Sequence, residues 1–234
     1  MRTKQILEAS VDNFIKTGRA VTSEHLYDAY DFGIKPAMIR WELNELAKGG
    51  YLYQVHPSGG RFPTNRAYRF YVDELLDRNF DSAYVSNRNI SGLIEEFVEG
   101  ARRSFVQDLS DYLRLLSVGY EFDAENLYQS GLNALIKELA DEDKKALVDV
   151  VEDFERLPER LASAREWLEE DGPWPRVFIG QNLITKSDHL SVIAGKFVFD
   201  GDDFLLVAVG PKRMDYHKSL VLFKVLERSL VDIS

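Results

Sequence analysis

The chain has 234 residues, 45% hydrophobic and 29% charged, which is enough apolar content for one large domain or two small ones and too much for wholesale disorder. It has no cysteine, which excludes disulfides, thiolate metal sites and a cysteine nucleophile. The net charge of −10 is unevenly spread, since residues 1–72 hold ten Lys and Arg against seven Asp and Glu and all the excess acid lies beyond them; the pattern suggests two modules with different partners.

The opening segment MRTKQILEASVDNF carries polar residues throughout its amphipathic pattern and lacks the apolar core of a signal peptide. No apolar run approaches the roughly 18 residues that cross a membrane, so a soluble, cytoplasmic protein is expected. Residues 3–16 place Ile6, Leu7, Val11, Phe14 and Ile15 at helical spacing, and Thr17-Gly18 ends the run. Thr22 is an N-cap candidate for a short second helix to Tyr30, with Glu24 in its first turn. DFGI makes a tight connection, and Pro36 opens a third helix that runs to Gly49-Gly50.

On that third helix Ile39, Leu43 and Leu46 share one face at about 100° per residue. Ala37, Trp41, Asn44 and Lys48 lie roughly opposite, with Arg40 on the flank and Lys35 and Met38 beside them. A small residue, an amide, a ring and several bases on one outward face suit a helix entering a DNA major groove. Any surface helix also shows polar residues, and an outward tryptophan can instead pack under a neighbouring element or against a protein partner.

The next stretch, YLYQVHPSGGRFPTNRAYRFYV (51–72), has Arg61, Arg66 and Arg69 and not one carboxylate. Two aromatic runs flank Pro57-Ser58-Gly59-Gly60, which predicts a β-hairpin with a basic tip. Such a hairpin can lie along phosphates, where an arginine displaces counterions and a carboxylate is repelled. His56 and Ser58 at the tip are further candidate contacts. The alternative is an ordinary surface hairpin whose arginines pair with acids on the helices. Helix, helix, turn, helix, hairpin is the order of a winged helix-turn-helix, assigned to residues 1–75 as a DNA-binding domain.

Residues 76–89 are assigned to a linker and 90–234 to a second domain. From Ile90 the apolar residues Ile90, Leu93, Ile94, Phe97, Ala101, Phe105, Leu109, Tyr112 and Leu116 fall on one stripe, which predicts one long amphipathic helix. The stripe can be buried within its own domain or against a second copy, and it is the candidate homodimer surface. A second helical stretch over 142–170 is interrupted at Pro158. Three strands are expected at 176–179, 190–199 and 203–209, then a helix from about Met214 to Val231. In GPKRMDY, Arg213 and Asp215 are read either as an ion pair fixing the corner or as part of a surface for a partner. The fold class is α+β, with a helix-covered antiparallel sheet in the second domain.

Nothing in the sequence forms a catalytic constellation. His25, His56, His189 and His217 have no neighbour at metal-ligand spacing, and HExxH, a P-loop and a dinucleotide fingerprint are absent. A non-enzyme without metal or cofactor is expected.

Several segments resemble the HrcA heat-inducible transcription repressors: AMIR, GGYL, SGGRFPT and AYRFYVDEL in the first third, LYQSGLNALIKE in the middle, and VFIGQN and VAVGPKRMDY near the end. The family usually has Thr and Asn where this chain has Met38 and Trp41. The resemblance implies a repressor that binds double-stranded DNA as a dimer at an inverted repeat upstream of chaperone operons. It also implies a GAF-like second domain and a chaperonin as a partner. Between Leu116 and LYQSGL the sequence suggests no counterpart to the family's GAF-like strands or its inserted dimerising domain, so a reduced GAF-like domain is expected. Two other readings remain open: a protein–protein adaptor whose winged helix no longer binds DNA, and an effector-sensing regulator.

Overall fold

In the computed structural model, which describes residues 2–56, 59–78, 88–140, 144–168, 173–199 and 201–231, two of the first four helices begin at a capping threonine. Helix α1 (Arg2–Thr17) buries Ile6, Leu7, Ala9 and Val11. Helix α2 (Ser23–Ala29) starts at Thr22, whose hydroxyl accepts a hydrogen bond from the His25 amide at 3.2 Å. Helix α3 (Pro36–Lys48) opens on Pro36, where a missing N–H leaves no intrahelical bond unmade, and buries Ile39, Leu43 and Leu46.

The hairpin is shorter than expected. Strands β1 (Leu52–Tyr53) and β2 (Phe62–Pro63) pair antiparallel, and Val21 bridges Arg61 through two backbone hydrogen bonds of 2.8 Å. Phe62 packs edge-on against Phe14, centroids 5.7 Å apart, and stacks on Tyr53 at 5.5 Å, which holds the hairpin base to α1. The expected second strand, AYRFYV, is helical and belongs to α4 (Asn65–Leu76). Thr64 starts this helix by accepting from the Ala67 amide at 3.4 Å while its hydroxyl reaches Gly50 O at 2.8 Å. The residues that α4 buries, Ala67, Tyr68, Tyr71, Val72 and Leu75, follow a helical period, and packing on that stripe overrides the β-propensity of the aromatic run.

Contact density divides the chain into two units, Met1–Arg78 with Arg213–Asp215, and Asn79–Lys212 with Tyr216–Ser234. In sequence terms the expected linker begins inside α4, and residues 79–87 lie outside the described residues.

The expected long helix is two: α5 (Arg88–Val98) and α6 (Arg102–Leu113). They separate at Gly100, which takes φ +78°, a conformation costly to other residues. Between Leu116 and the LYQSGL segment, where no strands were expected, lies β3 (Leu116–Glu121), and LYQS itself is in β4 (Asn126–Ser130). Helices α7 (Leu132–Ala140), α8 (Lys144–Glu155), α9 (Leu157–Ala162) and α10 (Arg165–Leu168) follow, with Pro158 in the first turn of α9 where the break was expected. Strands β5 (Arg176–Ile179), β6 (Leu190–Phe199) and β7 (Asp202–Pro211) precede α11 (Tyr216–Val231). The sheet therefore has five strands rather than three, in the order β4-β3-β7-β6-β5, with every neighbouring pair antiparallel.

Helices cover both faces of this sheet. On one side Val118, Val207, Val209 and Val192 meet Leu135 and Leu139 of α7, Val150 of α8 and Leu157 and Leu161 of α9. On the other, Phe97 of α5 packs against Phe197 and Phe204, and an added Cβ at Gly119 would come within 2.5 Å of the Phe204 ring and 3.1 Å of Val106 in α6. Burial on both faces explains why β7 reads as the uninterrupted apolar run FLLVAVG instead of alternating.

The dimer stripe is corrected by the same packing. Ile90, Leu93, Phe97, Phe105 and Leu109 are buried within the second unit, and Ile94 and Tyr112 are half-buried. Side chains that fill the domain's own core are unavailable to a partner.

Candidate nucleic-acid interface

The exposed side of α3 is the surface of interest in the first unit. Ala37, Arg40, Asn44 and Lys48 are exposed, as is Lys35 at the N-cap, and Met38 and Trp41 are 47% and 54% exposed. The face is held by the opposite stripe of Ile39 and Leu43, both fully buried.

The charges on this face are loosely tied. Arg40 donates to Glu24 Oε1 at 2.7 Å, and Lys48 to Glu45 Oε1 at 2.7 Å, all four groups largely in water except for the partly covered Glu45. The Glu24 carboxylate is held below its ordinary pKa, first by a hydrogen bond from its own backbone and next by the Ser23 hydroxyl, with Arg40 contributing less. Exposed pairs of this kind are worth about 0–1 kcal/mol, so a phosphate can capture either base at little cost.

Arg61 does not stand at a basic tip. It is only 7% exposed, at the root of the hairpin, where it donates through Nη2 to Asn44 Oδ1. Burial, with the Arg40 charge second, pulls its pKa below the ordinary arginine value. Its Nε has no hydrogen-bond partner among the described residues. Arg66 and Arg69 are exposed but ride on α4 rather than on the hairpin. Arg66 reaches back to the end of α3, donating to Gly49 O at 2.7 Å and covering the Tyr51 ring at 4.3 Å. His56 is exposed near the tip, where the Gly59 amide donates to its carbonyl at 2.9 Å, and Ser58 lies outside the described residues.

Sequence reasoning missed Gln54, whose side-chain amide donates to Gly59 O at 2.5 Å and closes the hairpin loop, and Thr64, which ties α4 to the end of α3. The TNRA run was the available signal for Thr64, since a threonine before a helical stripe marks an N-cap.

In the second unit, Asp153 of α8 accepts from Arg160 Nη1, from Thr185 Oγ1 and from the Lys186 amide at 2.9 Å, so its carboxylate is fully engaged. The cavity beside it, lined by residues that include Leu116, Val150, Asp153 and Leu190, holds about 20 Å³, room for one water and not for a metabolite. Among the described residues no helix is long and apolar enough to cross a membrane.

These features define an α+β protein: a helical unit with a short hairpin and an exposed, base-bearing helix, and a unit built on a helix-covered antiparallel sheet. A family model described as "HrcA protein C terminal domain" matches residues 73–220, and the chain belongs to the HrcA family. It is 36% identical to the heat-inducible transcription repressor HrcA of Desulforudis audaxviator over 121 residues, which cover 50% of this chain and 35% of that protein. To the same repressor of Leptospira biflexa it is 45% identical over 75 residues, covering 32% of this chain and 22% of the relative. The matches thus span about a third or less of these curated relatives. A solved structure described only as that of a hypothetical protein at 2.2 Å resolution has the same fold, with TM-score 0.72 at 16% identity over 97% of this chain and 96% of that one.

Proposed function

We propose that the chain is a sequence-specific DNA-binding transcription repressor, with residues 1–75 forming a winged helix-turn-helix. The observation that carries this reading is the exposed face of α3, with Arg40, Asn44 and Lys48 in water beside a two-stranded hairpin. In such a domain α3 enters the major groove and the hairpin lies along the backbone. Lys35, Ala37, Met38 and Trp41 border the bases, and Arg40, Lys48, His56, Arg66 and Arg69 supply backbone contacts. The relatives named as heat-inducible repressors support the same assignment.

The second unit is read as a reduced GAF-like regulatory domain without catalytic function. The repressor acts as a homodimer on an inverted repeat, two heads reading half-sites a multiple of about 10 base pairs apart. The burial of Ile90, Leu93, Phe97, Phe105 and Leu109 in the second unit favours a two-fold built on a surface other than the α5–α6 stripe. A competing reading, a protein–protein adaptor, draws on the exposure of Trp41 and Met38. Duplex binding measured at two salt concentrations separates the two: steep weakening with salt supports the repressor, and salt-independent or absent binding supports the adaptor.

A further inference from the structure

The contact between Arg61 and Asn44 limits what α3 can read. A guanidinium has five N–H donors and no acceptor. The atom of the Asn44 amide that faces it must therefore be the oxygen, as the hydrogen bond from Arg61 Nη2 to Asn44 Oδ1 records. The amide is planar, so with its oxygen turned to the hairpin root its NH2 group points away. That NH2 has no partner among the described residues, and Asn44 is exposed. Arg61 itself is fixed at both ends. Its backbone forms the two 2.8 Å hydrogen bonds to Val21, and its side chain is buried.

We infer that Arg61 is a positioning residue that locks the Asn44 amide with its NH2 outward, so that α3 presents a hydrogen-bond donor at this position and selects guanine. The inference rests on the DNA-binding reading above. In the major groove adenine pairs best with an amide that offers an oxygen to N6–H and an NH2 to N7 together, whereas guanine offers two acceptors, O6 and N7, side by side. An asparagine free to turn reads adenine. An asparagine whose oxygen is held by Arg61 is biased to guanine, which offers the outward NH2 two adjacent acceptors where adenine N7 and thymine O4 offer one each. Arg61 thus acts through sequence preference and not through a phosphate.

The test is selection from a pool of randomised duplexes by the full chain as wild type, Asn44→Asp and Arg61→Met, with the base profile and the salt slope read for each. Wild type should prefer guanine over adenine by about five- to tenfold at one position of each half-site, the low end of what one base contact supplies. Arg61→Met should bring that ratio to about one or reverse it, with the salt slope unchanged. Asn44→Asp keeps the partner for Arg61 but removes the outward donor, and should move the preference to cytosine, whose N4 amine is a donor. Should Arg61→Met fail to fold by circular dichroism, Asn44→Asp decides alone. Duplex binding with a base profile that neither variant changes overturns the inference and leaves the repressor reading intact. A uniform loss of affinity in Arg61→Met, with a salt slope shallower by about one, makes Arg61 a phosphate contact and also overturns it. No duplex binding by wild type removes the inference together with the reading it rests on.

Discussion

Phe97 meets Phe197 edge to face, ring centroids 4.9 Å apart at 81°, and this contact fastens α5 to the central sheet. Phe105 joins the same cluster, 4.7 Å from Phe97. Both rings are fully buried without any partner chain. Phe97→Ala should therefore cost about 3–5 kcal/mol of stability, as large-to-small changes in aromatic cores do, while the folded fraction keeps the sedimentation of the wild type. Urea unfolding with parallel sedimentation checks it; a changed oligomeric state at unchanged stability would put Phe97 on an interface instead.

Asp153 joins α8 to α9 through Arg160 and to the loop before β6 through Thr185 and the amides of Lys186 and Ser187, the last at 3.3 Å. Arg160 also donates to Ile184 O at 2.7 Å, so the pair fixes three segments at once. Asp153→Ala leaves a largely buried guanidinium without its counter-charge and should destabilise by about 3–5 kcal/mol. A drop below roughly 1 kcal/mol in a urea titration would mean that water reaches Arg160 readily.

Arg66 and Arg69 sit three residues apart on α4 but should respond differently. Arg66 caps the end of α3 through Gly49 O and covers Tyr51, so Arg66→Ala should lower stability by about 1 kcal/mol as well as weakening duplex binding. Arg69 is exposed, so Arg69→Ala should stay within about 0.5 kcal/mol of wild type and weaken binding to specific and random duplexes alike. Thermal melts beside filter binding distinguish the two.

Trp41 is more than half exposed and lies on the outward face of α3. Trp41→Asn, the residue usual in the resembling family, should leave the melting temperature nearly unchanged and shift duplex preference toward that family's inverted repeat. Competition between two labelled duplexes reads this directly. An unchanged preference would assign Trp41 to a protein contact.

Much of the first unit was legible because its helices announce themselves by caps and period: Thr22, Pro36 and the Ile39–Leu43–Leu46 stripe place α2 and α3. AYRFYV was not, because a short run of aromatics satisfies a strand as well as a helix until the buried set, Ala67, Tyr68, Tyr71, Val72 and Leu75, is known. In the second unit the stripe through Leu116 merged α5, α6 and the start of β3 into one helix. Gly100 marked the first break, but β3, buried along five of its six residues, has no alternation to separate it from a helix. The exposed face of α3 could be read from angular spacing alone. The place of Arg61 could not, since the pairing of Val21 with Arg61 at the hairpin root is what brings that side chain onto Asn44.

The most direct test of the account is the affinity of the full chain for its best duplex as a function of salt. A dimer that places Arg40, Lys48, Arg66 and Arg69 of each head near phosphates neutralises about six to eight of them, so log K should fall against log salt with a slope of roughly −5 to −7. A slope near zero, measured on protein that melts cooperatively, would contradict the DNA-binding account.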